Sequence, residues 1–165
     1  MACSDGKNQH GPGLLNIKNW LELPREEVDE FGVIWVREGQ NLSMGHPGRS
    51  TLLDWSDLDR YIARYSPDAY DKTRYWDFTR LAKLVGRNRY RMCLLGFQGP
   101  FTMASAIRGF TPFMTDHRKN PDKLKKLLAY LTSFYTDSMR AWVKYGAKPH
   151  GFMLYDDLGD QSSPF

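Results

Sequence analysis

Two adjacent carboxylates, Asp156 and Asp157, follow the short apolar run Gly151-Phe152-Met153-Leu154-Tyr155 and lead into Leu158-Gly159-Asp160-Gln161. A second run, Tyr90-Arg91-Met92-Cys93-Leu94-Leu95, ends in Gly96-Phe97-Gln98-Gly99-Pro100. Each run lies between turn residues and has the length and composition of a buried strand. In parallel α/β architectures, ligands are held at the C-terminal ends of strands. Both turns are therefore candidate site segments. Successive side chains on a strand face opposite ways, so one aspartate would face a cleft while the other could cap a following helix. A polar turn with Asp as N-cap and no ligand is the alternative. Gly96 and Gly99 would let a backbone approach a ligand closely. The N–H groups that start the next helix could receive an anion. A plain strand-to-helix turn with Pro100 at the first helical position accounts for the same residues.

Other residues with chemical potential have simpler readings. His10, His46, His117 and His150 share no metal-ligand spacing with one another or with Cys3 and Cys93. Lys123, Lys125 and Lys126 read as a solvated helix face. Asn41-Leu42-Ser43 matches a glycosylation sequon without a secretory context. The chain has no P-loop, no GxGxxG, no GxSxG and no CxxC.

The elements that must position the two turns follow from periodicity and punctuation. Residues 1–13 read as a flexible tail, and Leu14 to Leu23 is short and amphipathic. Pro24-Arg25-Glu26-Glu27 puts acids where a helix would have its first turn. Gly32 to Arg37 is β-rich, Glu38 to Ser50 is a loop or wide hairpin, and Thr51-Leu52-Leu53 is the expected return strand. A helix over Asp54 to Tyr65 has Ser56 as expected N-cap, and another helix is expected over Thr73 to Gly86. A helix from Pro100 to about Arg108 comes next. Asn120-Pro121 then opens a long helix, with Leu124, Leu127, Leu128, Leu131, Phe134, Tyr135, Trp142 and Val143 on its apolar stripe and Gly146 at its end. From Leu94 the order is strand, helix, long helix, strand. That is a βαβ crossover, so residues 90–97 and 151–156 are expected to be parallel neighbours in an α/β fold.

The 165 residues carry a net charge of +4, with acids interspersed throughout, so nucleic acid is not the expected partner. A chain this long buries its own core, and 14% aromatic content argues against disorder. No stretch of 18 apolar residues occurs, so no membrane span is expected. The polar start lacks an apolar signal segment, and two distant cysteines form no disulfide framework, so the expected setting is cytoplasmic. A complete eight-stranded β/α barrel takes about 250 residues, which this chain does not have.

Four segments, in this order, resemble the uroporphyrinogen decarboxylase superfamily. They are Asp29-Glu30-Phe31-Gly32-Val33-Ile34-Trp35, Leu95-Gly96-Phe97-Gln98-Gly99-Pro100-Phe101-Thr102, the long helix from Asn120-Pro121, and Gly151 to Gln161. The superfamily includes the decarboxylases of haem biosynthesis and the cobalamin-linked methyltransferases. The resemblance covers roughly residues 25–165 and implies an incomplete domain over 14–165. That domain would be a partial TIM-type (β/α) barrel with parallel strands and long crossover helices. By resemblance, Asp156 and Asp157 are the catalytic candidates, and Phe97, Gln98, Gly99 and Gln161 the substrate-binding ones. The implied substrate is a tetrapyrrole or a methyl-corrinoid.

Decarboxylation of a pyrrole acetate needs a cationic ring stabilised, which a carboxylate supplies. Methyl transfer to a thiol needs zinc to make the thiolate. The methyltransferases' zinc ligands, a His-x-Cys and a later Cys, do not occur in this chain, so no cofactor is expected in it. Zinc or a corrinoid would belong to a full-length protein. The Asp-Asp-Leu-Gly turn resembles the methyltransferase-like branch more than the haem-pathway decarboxylases, whose RQAGRY stretch is absent. The expected function is thus that of a fragment of such an enzyme. The alternative is a non-catalytic half-barrel that binds or assembles. The expected partners are a second copy or the missing barrel half. On length, the chain by itself is expected to be inactive and to aggregate or fold only with a partner. Size-exclusion chromatography with a thermal melt and activity assays checks this, and a soluble, active monomer would overturn it.

Overall fold

The computed structural model describes residues 26–37, 45–76, 79–80, 84, 89–95, 98–146, 148–159 and 162. The expected tail, the segment 14–23 and half of the expected helix 73–86 lie outside the described residues, and the start of that helix is instead a 3-10 turn, Lys72–Tyr75, capped by Asp71. The chain divides into two compact units. One comprises residues up to Pro67 together with Met103–Leu127, and the other Asp68–Thr102 together with the chain from Leu128.

In the first unit, Glu26–Val28 (β1), Ile34–Val36 (β2) and His46–Arg49 (β3) form an antiparallel sheet in the order β1-β2-β3. This corrects two expectations. Glu26 and Glu27 belong to a strand rather than a helical turn. The return strand lies at 46–49, inside the segment read as a loop, and not at 51–53. The physical reasons are cross-strand. Arg37 pairs with Glu27 at 3.0 Å, and Arg49 pairs with Glu26 at 3.1 Å, so the acids find partners across the sheet. β3 is an outer strand, where Pro47 is tolerated. The N–H groups of Thr51 and Leu52 instead donate to the Ile107 carbonyl at 3.0 and 3.1 Å.

The β1–β2 turn is organised by Asp29. Its Oδ1 accepts from the N–H groups of Phe31 (2.9 Å) and Val33 (2.8 Å), and its Oδ2 accepts from Trp35 Nε1 at 2.7 Å. The Tyr61 hydroxyl donates to the Phe31 carbonyl. A 3-10 turn over Trp55–Asp57 leads into the helix Leu58–Arg64 (α1). Asp54, not Ser56, caps this entry. Asp54 is extended, and its Oδ1 accepts the Ser56 N–H at 2.8 Å. The carboxylate two residues earlier accepts the Ser56 N–H itself, so the cap sits at Asp54 and Ser56 lies inside the 3-10 turn.

The helices Pro100–Arg108 (α2) and Pro121–Lys144 (α4) start where the prolines place them. Between them lies Phe110–Lys119 (α3), which the sequence reading left unassigned. Gly109 separates α2 from α3 at φ 87, a backbone conformation that glycine adopts without strain. Arg108 fixes this reversal. Its Nε donates to Asp116 Oδ2 at 2.7 Å, and its Nη1 donates to the carbonyls of Leu52 (3.0 Å) and Leu53 (2.6 Å). Burial pushes the Asp116 carboxyl up, but hydrogen bonds from Asn120 and Arg108 outweigh it and hold the carboxyl below the usual range. Phe31, Val33, Leu52, Leu58, Ile107, Phe113, Leu124 and Leu127 are among the buried apolar residues of this unit's core.

In the second unit, Met92–Leu94 (β4) and Gly151–Met153 (β5) pair in parallel, with Cys93 opposite Phe152. The βαβ expectation is met in shorter strands than 90–97 and 151–156. The Leu95 N–H extends the pairing to the Met153 carbonyl at 3.0 Å. Cys93, Leu95, Tyr75, Leu131, Tyr135, Ala141 and Trp142 are buried. Tyr75 packs edge-on against Trp142 with ring centroids 4.8 Å apart. The α4 stripe is buried at Leu124, Leu127, Leu131, Tyr135 and Trp142, whereas Val143, expected on it, is 60% exposed. The fold is α/β with a small parallel sheet, and the described residues do not close a barrel.

Asp29 gives a pH prediction. Burial raises its carboxyl to about 6, against the lowering effect of the Trp35, Val33 and Phe31 hydrogen bonds. The folded chain therefore binds this proton more tightly than the unfolded chain. Stability from this group is full below about pH 4 and is lost as pH rises through about 6. The difference in melting temperature between wild type and Asp29→Asn should shrink from pH 4 to pH 6 and stay flat above. A difference that grows over that interval would contradict the assignment.

Candidate active site at the ends of the parallel strands

Where β4 and β5 end, their two connecting segments meet through one side chain. Asp156 Oδ2 accepts from the Phe101 N–H at 3.0 Å. Its Oδ1 accepts from the Thr102 N–H at 2.9 Å and from the Thr102 hydroxyl at 2.6 Å. The carboxylate thus occupies the N-terminus of α2, where free N–H groups and the helix dipole favour negative charge. Thr102 closes the arrangement from the other side, because its Oγ1 accepts the Asp157 N–H at 3.0 Å.

Gly99 is what admits this contact. A Cβ at position 99 would stand 2.5 Å from Asp156 Cγ and Oδ2. The glycine gives close approach, as expected, but the group that approaches is the chain's own carboxylate. On the other flank, the Tyr135 hydroxyl of α4 donates to the Gln98 carbonyl. The side-chain oxygen of Gln98 is buried and, among the described residues, meets no hydrogen-bond donor.

Of the site residues read from sequence, the structure brings Gln98, Gly99 and Asp156 to the start of α2. Asp157 adjoins them through its backbone, and its side chain is exposed. Phe97 and Gln161 lie outside the described residues. The two aspartates have different environments. Asp156 commits both oxygens to α2, in the capping role that the sequence left open for one of the pair. Its helix, however, lies about fifty-four residues earlier in the chain, not after it.

Sequence reasoning missed Thr102 and Tyr135 as positioning residues. Thr102 is the third residue of a helix that starts with Pro100, past the cap position, and its hydroxyl partner Asp156 is distant in sequence, so no local signal marks its role. Tyr135 looked like core because only its hydroxyl differs from a packing residue.

Among the described residues, no group of three or more His, Cys, Asp or Glu is placed to hold a metal ion. A zinc site does not fit these residues. Among the same residues, no helix is long and apolar enough to cross a membrane. Burial pushes the Cys93 thiol up, away from the reactive thiolate.

Asp156→Ala removes three charge-assisted bonds and the α2 cap and should cost about 2 kcal/mol in chemical denaturation. Asp156→Asn retains one acceptor oxygen and should cost less. Asp157→Asn should leave stability within about 0.5 kcal/mol, as expected of an exposed side chain. Equal losses for Asp156→Ala and Asp157→Asn would contradict this division of roles.

The model of the family described as uroporphyrinogen decarboxylase (URO-D) matches residues 52–159. That span is more than half of the chain and includes Gln98, Gly99, Thr102, Asp156 and Asp157, while β1 to β3 lie before it. No curated protein and no solved structure matches. The strand ends tied by Asp156 therefore belong to the matched span, and the chain is a member of the uroporphyrinogen decarboxylase family.

Proposed function

We propose that this chain forms part of a TIM-type (β/α) barrel acting in tetrapyrrole decarboxylation or corrinoid-linked methyl transfer, with the methyltransferase-like branch favoured. The substrate, a tetrapyrrole or a methyl-corrinoid, lies at the C-terminal ends of β4 and β5. Phe97, Gln98, Gly99 and Gln161 contact it, and Asp157 is the carboxylate that meets it. Asp156 acts as a positioning residue. The observation that carries this reading is the commitment of both Asp156 oxygens to α2, which leaves Asp157 exposed at a strand end within the matched span. The Asp-Asp-Leu-Gly sequence of the turn supports the methyltransferase-like branch.

The chemistry asked of Asp157 is electrostatic. A fixed carboxylate beside a ring that gains positive charge stabilises the transition state, and losing one such group typically costs about 100-fold in rate. Zinc or a corrinoid would be supplied by residues or partners other than those described. A second copy or a further barrel segment would complete the sheet, because the two parallel strands among the described residues are fewer than a stable parallel sheet uses. The buried thiol at Cys93 suits a reducing, cytoplasmic setting.

The experiment is turnover of uroporphyrinogen, and of a methyl-corrinoid with a thiol acceptor, by the purified chain and by Asp157→Asn. Turnover that falls about 100-fold in the variant supports the reading. Binding of either compound without turnover favours the non-catalytic module. A folded chain that neither binds nor turns over either compound would overturn both.

A further inference from the structure

The surplus charge of the chain is gathered at one corner of the first unit. Residues 117–126 hold Arg118, Lys119, Lys123, Lys125 and Lys126 against a single acid, Asp122, which matches the +4 of all 165 residues. Outside this stretch, acids and bases balance. The stretch forms the end of α3 and the start of α4, and all five cations are exposed. Lys126 pairs with Asp59 of α1. Among the described residues, Arg118, Lys119, Lys123 and Lys125 pair with no carboxylate.

Helix dipoles account for only part of this cluster. Arg118 and Lys119 lie in the last turn of α3, where cations are favoured. Lys123, Lys125 and Lys126 lie in the first two turns of α4, at its positive end, where cations are disfavoured. Lys123 and Lys126 also stand three residues apart on one helix, a spacing at which like charges repel. The corner beneath them is fixed by Asp116. Its carboxylate accepts from Arg108 Nε at 2.7 Å and from Asn120 Nδ2 at 2.6 Å, and its carbonyl accepts the Asn120 N–H at 2.9 Å. Lysines set against a helix dipole weaken the helix, and Lys123 and Lys125 make no compensating ion pair among the described residues.

We propose that the α3–α4 corner is a docking surface for a short acidic segment of a protein partner. The chemistry of the corner selects this class. A membrane surface needs apolar side chains to insert, and Leu124, the apolar residue of the stretch, is 3% exposed. Single-stranded nucleic acid needs aromatic faces to stack on, and residues 117–126 contain no Phe, Tyr or Trp. A duplex needs phosphate contacts spread along its backbone, and the balanced charge elsewhere leaves no surplus to extend them. A short acidic segment needs no more than the four unpaired cations. Asp122 among them would meet a lysine of a protein but would repel a phosphate. This surface does not depend on which ligand the strand ends take.

The test titrates the full chain into a labelled hexaglutamate peptide and into a short labelled DNA duplex, by fluorescence anisotropy. Wild type should bind the peptide more tightly than the duplex and lose about tenfold in affinity between about 50 and 200 mM salt. Lys123→Glu/Lys125→Glu should lose at least about tenfold for the peptide. With no ligand present, the same variant should melt above the wild-type temperature, because acids then sit at the positive end of α4. Lys72→Glu/Lys148→Glu changes the net charge equally at two exposed positions of the other unit. It should keep peptide binding within about twofold. Equal losses from the two double variants would mean that net charge alone is read, and would overturn the proposal. Tighter binding of the duplex would hand the corner to nucleic acid and would overturn it too. A lower melting temperature for Lys123→Glu/Lys125→Glu would show the lysines to be structural. Failure of folded wild type to bind the peptide at low salt would end the proposal and leave the reading of the strand ends untouched.

Discussion

One carboxylate solves two problems that parallel strand pairing creates. Parallel strands need a long crossover, and the helix that starts the crossover leaves its first N–H groups without partners. Asp156 leaves the end of β5 and returns to the beginning of that crossover, where it satisfies the Phe101 and Thr102 N–H groups. The start and the end of the βαβ unit are thereby locked together by groups that each needed a partner anyway. Gly99 follows from this, because any side chain there would collide with the carboxylate. Thr102 follows too, because a hydroxyl at that position serves Asp156 and the next peptide at once.

The same device recurs in the other unit with a different outcome. Asp29 also offers its oxygens to backbone N–H groups, at Phe31 and Val33, and adds the Trp35 indole. There the carboxylate stabilises a local turn between β1 and β2, and burial dominates enough to raise its proton affinity. At Asp116 the balance reverses, since Arg108 and Asn120 outweigh burial. Three buried or half-buried aspartates thus do structural work through side-chain oxygens. At Asp29 and Asp116 the donors around the carboxyl, set against burial, decide the sign of the shift.

The parts of the fold legible in the sequence were those encoded locally. The apolar runs ending at Leu95 and Tyr155 announced β4 and β5, Pro100 and Pro121 marked the starts of α2 and α4, and a 3.6-residue apolar period carried α4. The parts that were not legible depend on distant partners. Glu26 and Glu27 look like a helix start until Arg49 and Arg37 stand across from them. His46-Pro47-Gly48-Arg49 has the composition of a loop and becomes a strand only because β2 offers it an edge. The helix α3 is polar, carries Pro112 near its start and depends on the Arg108–Asp116 pair. At the candidate site, the residue types at 98, 99, 156 and 157 were legible. The roles of Thr102 and Tyr135 were not, because hydrogen bonds spanning fifty-four and thirty-seven residues leave no trace in local spacing.

Family membership fixes an architecture more firmly than a reaction, because one fold hosts many chemistries and the site residues choose among them. Under the proposed function the choosing residues are those left over after structure has taken its share. Asp156, the Thr102 hydroxyl and the N-terminal N–H groups of α2 are consumed in holding β5 to the crossover, so the usual anion receptor of a strand-to-helix turn is closed from within. What these strand ends present is the exposed Asp157 carboxylate in place of a free helix N-terminus. An interaction withdrawn in this way can set selectivity as well as one that remains, since an unpaired like charge discriminates against a wrong ligand just as a new bond favours the right one.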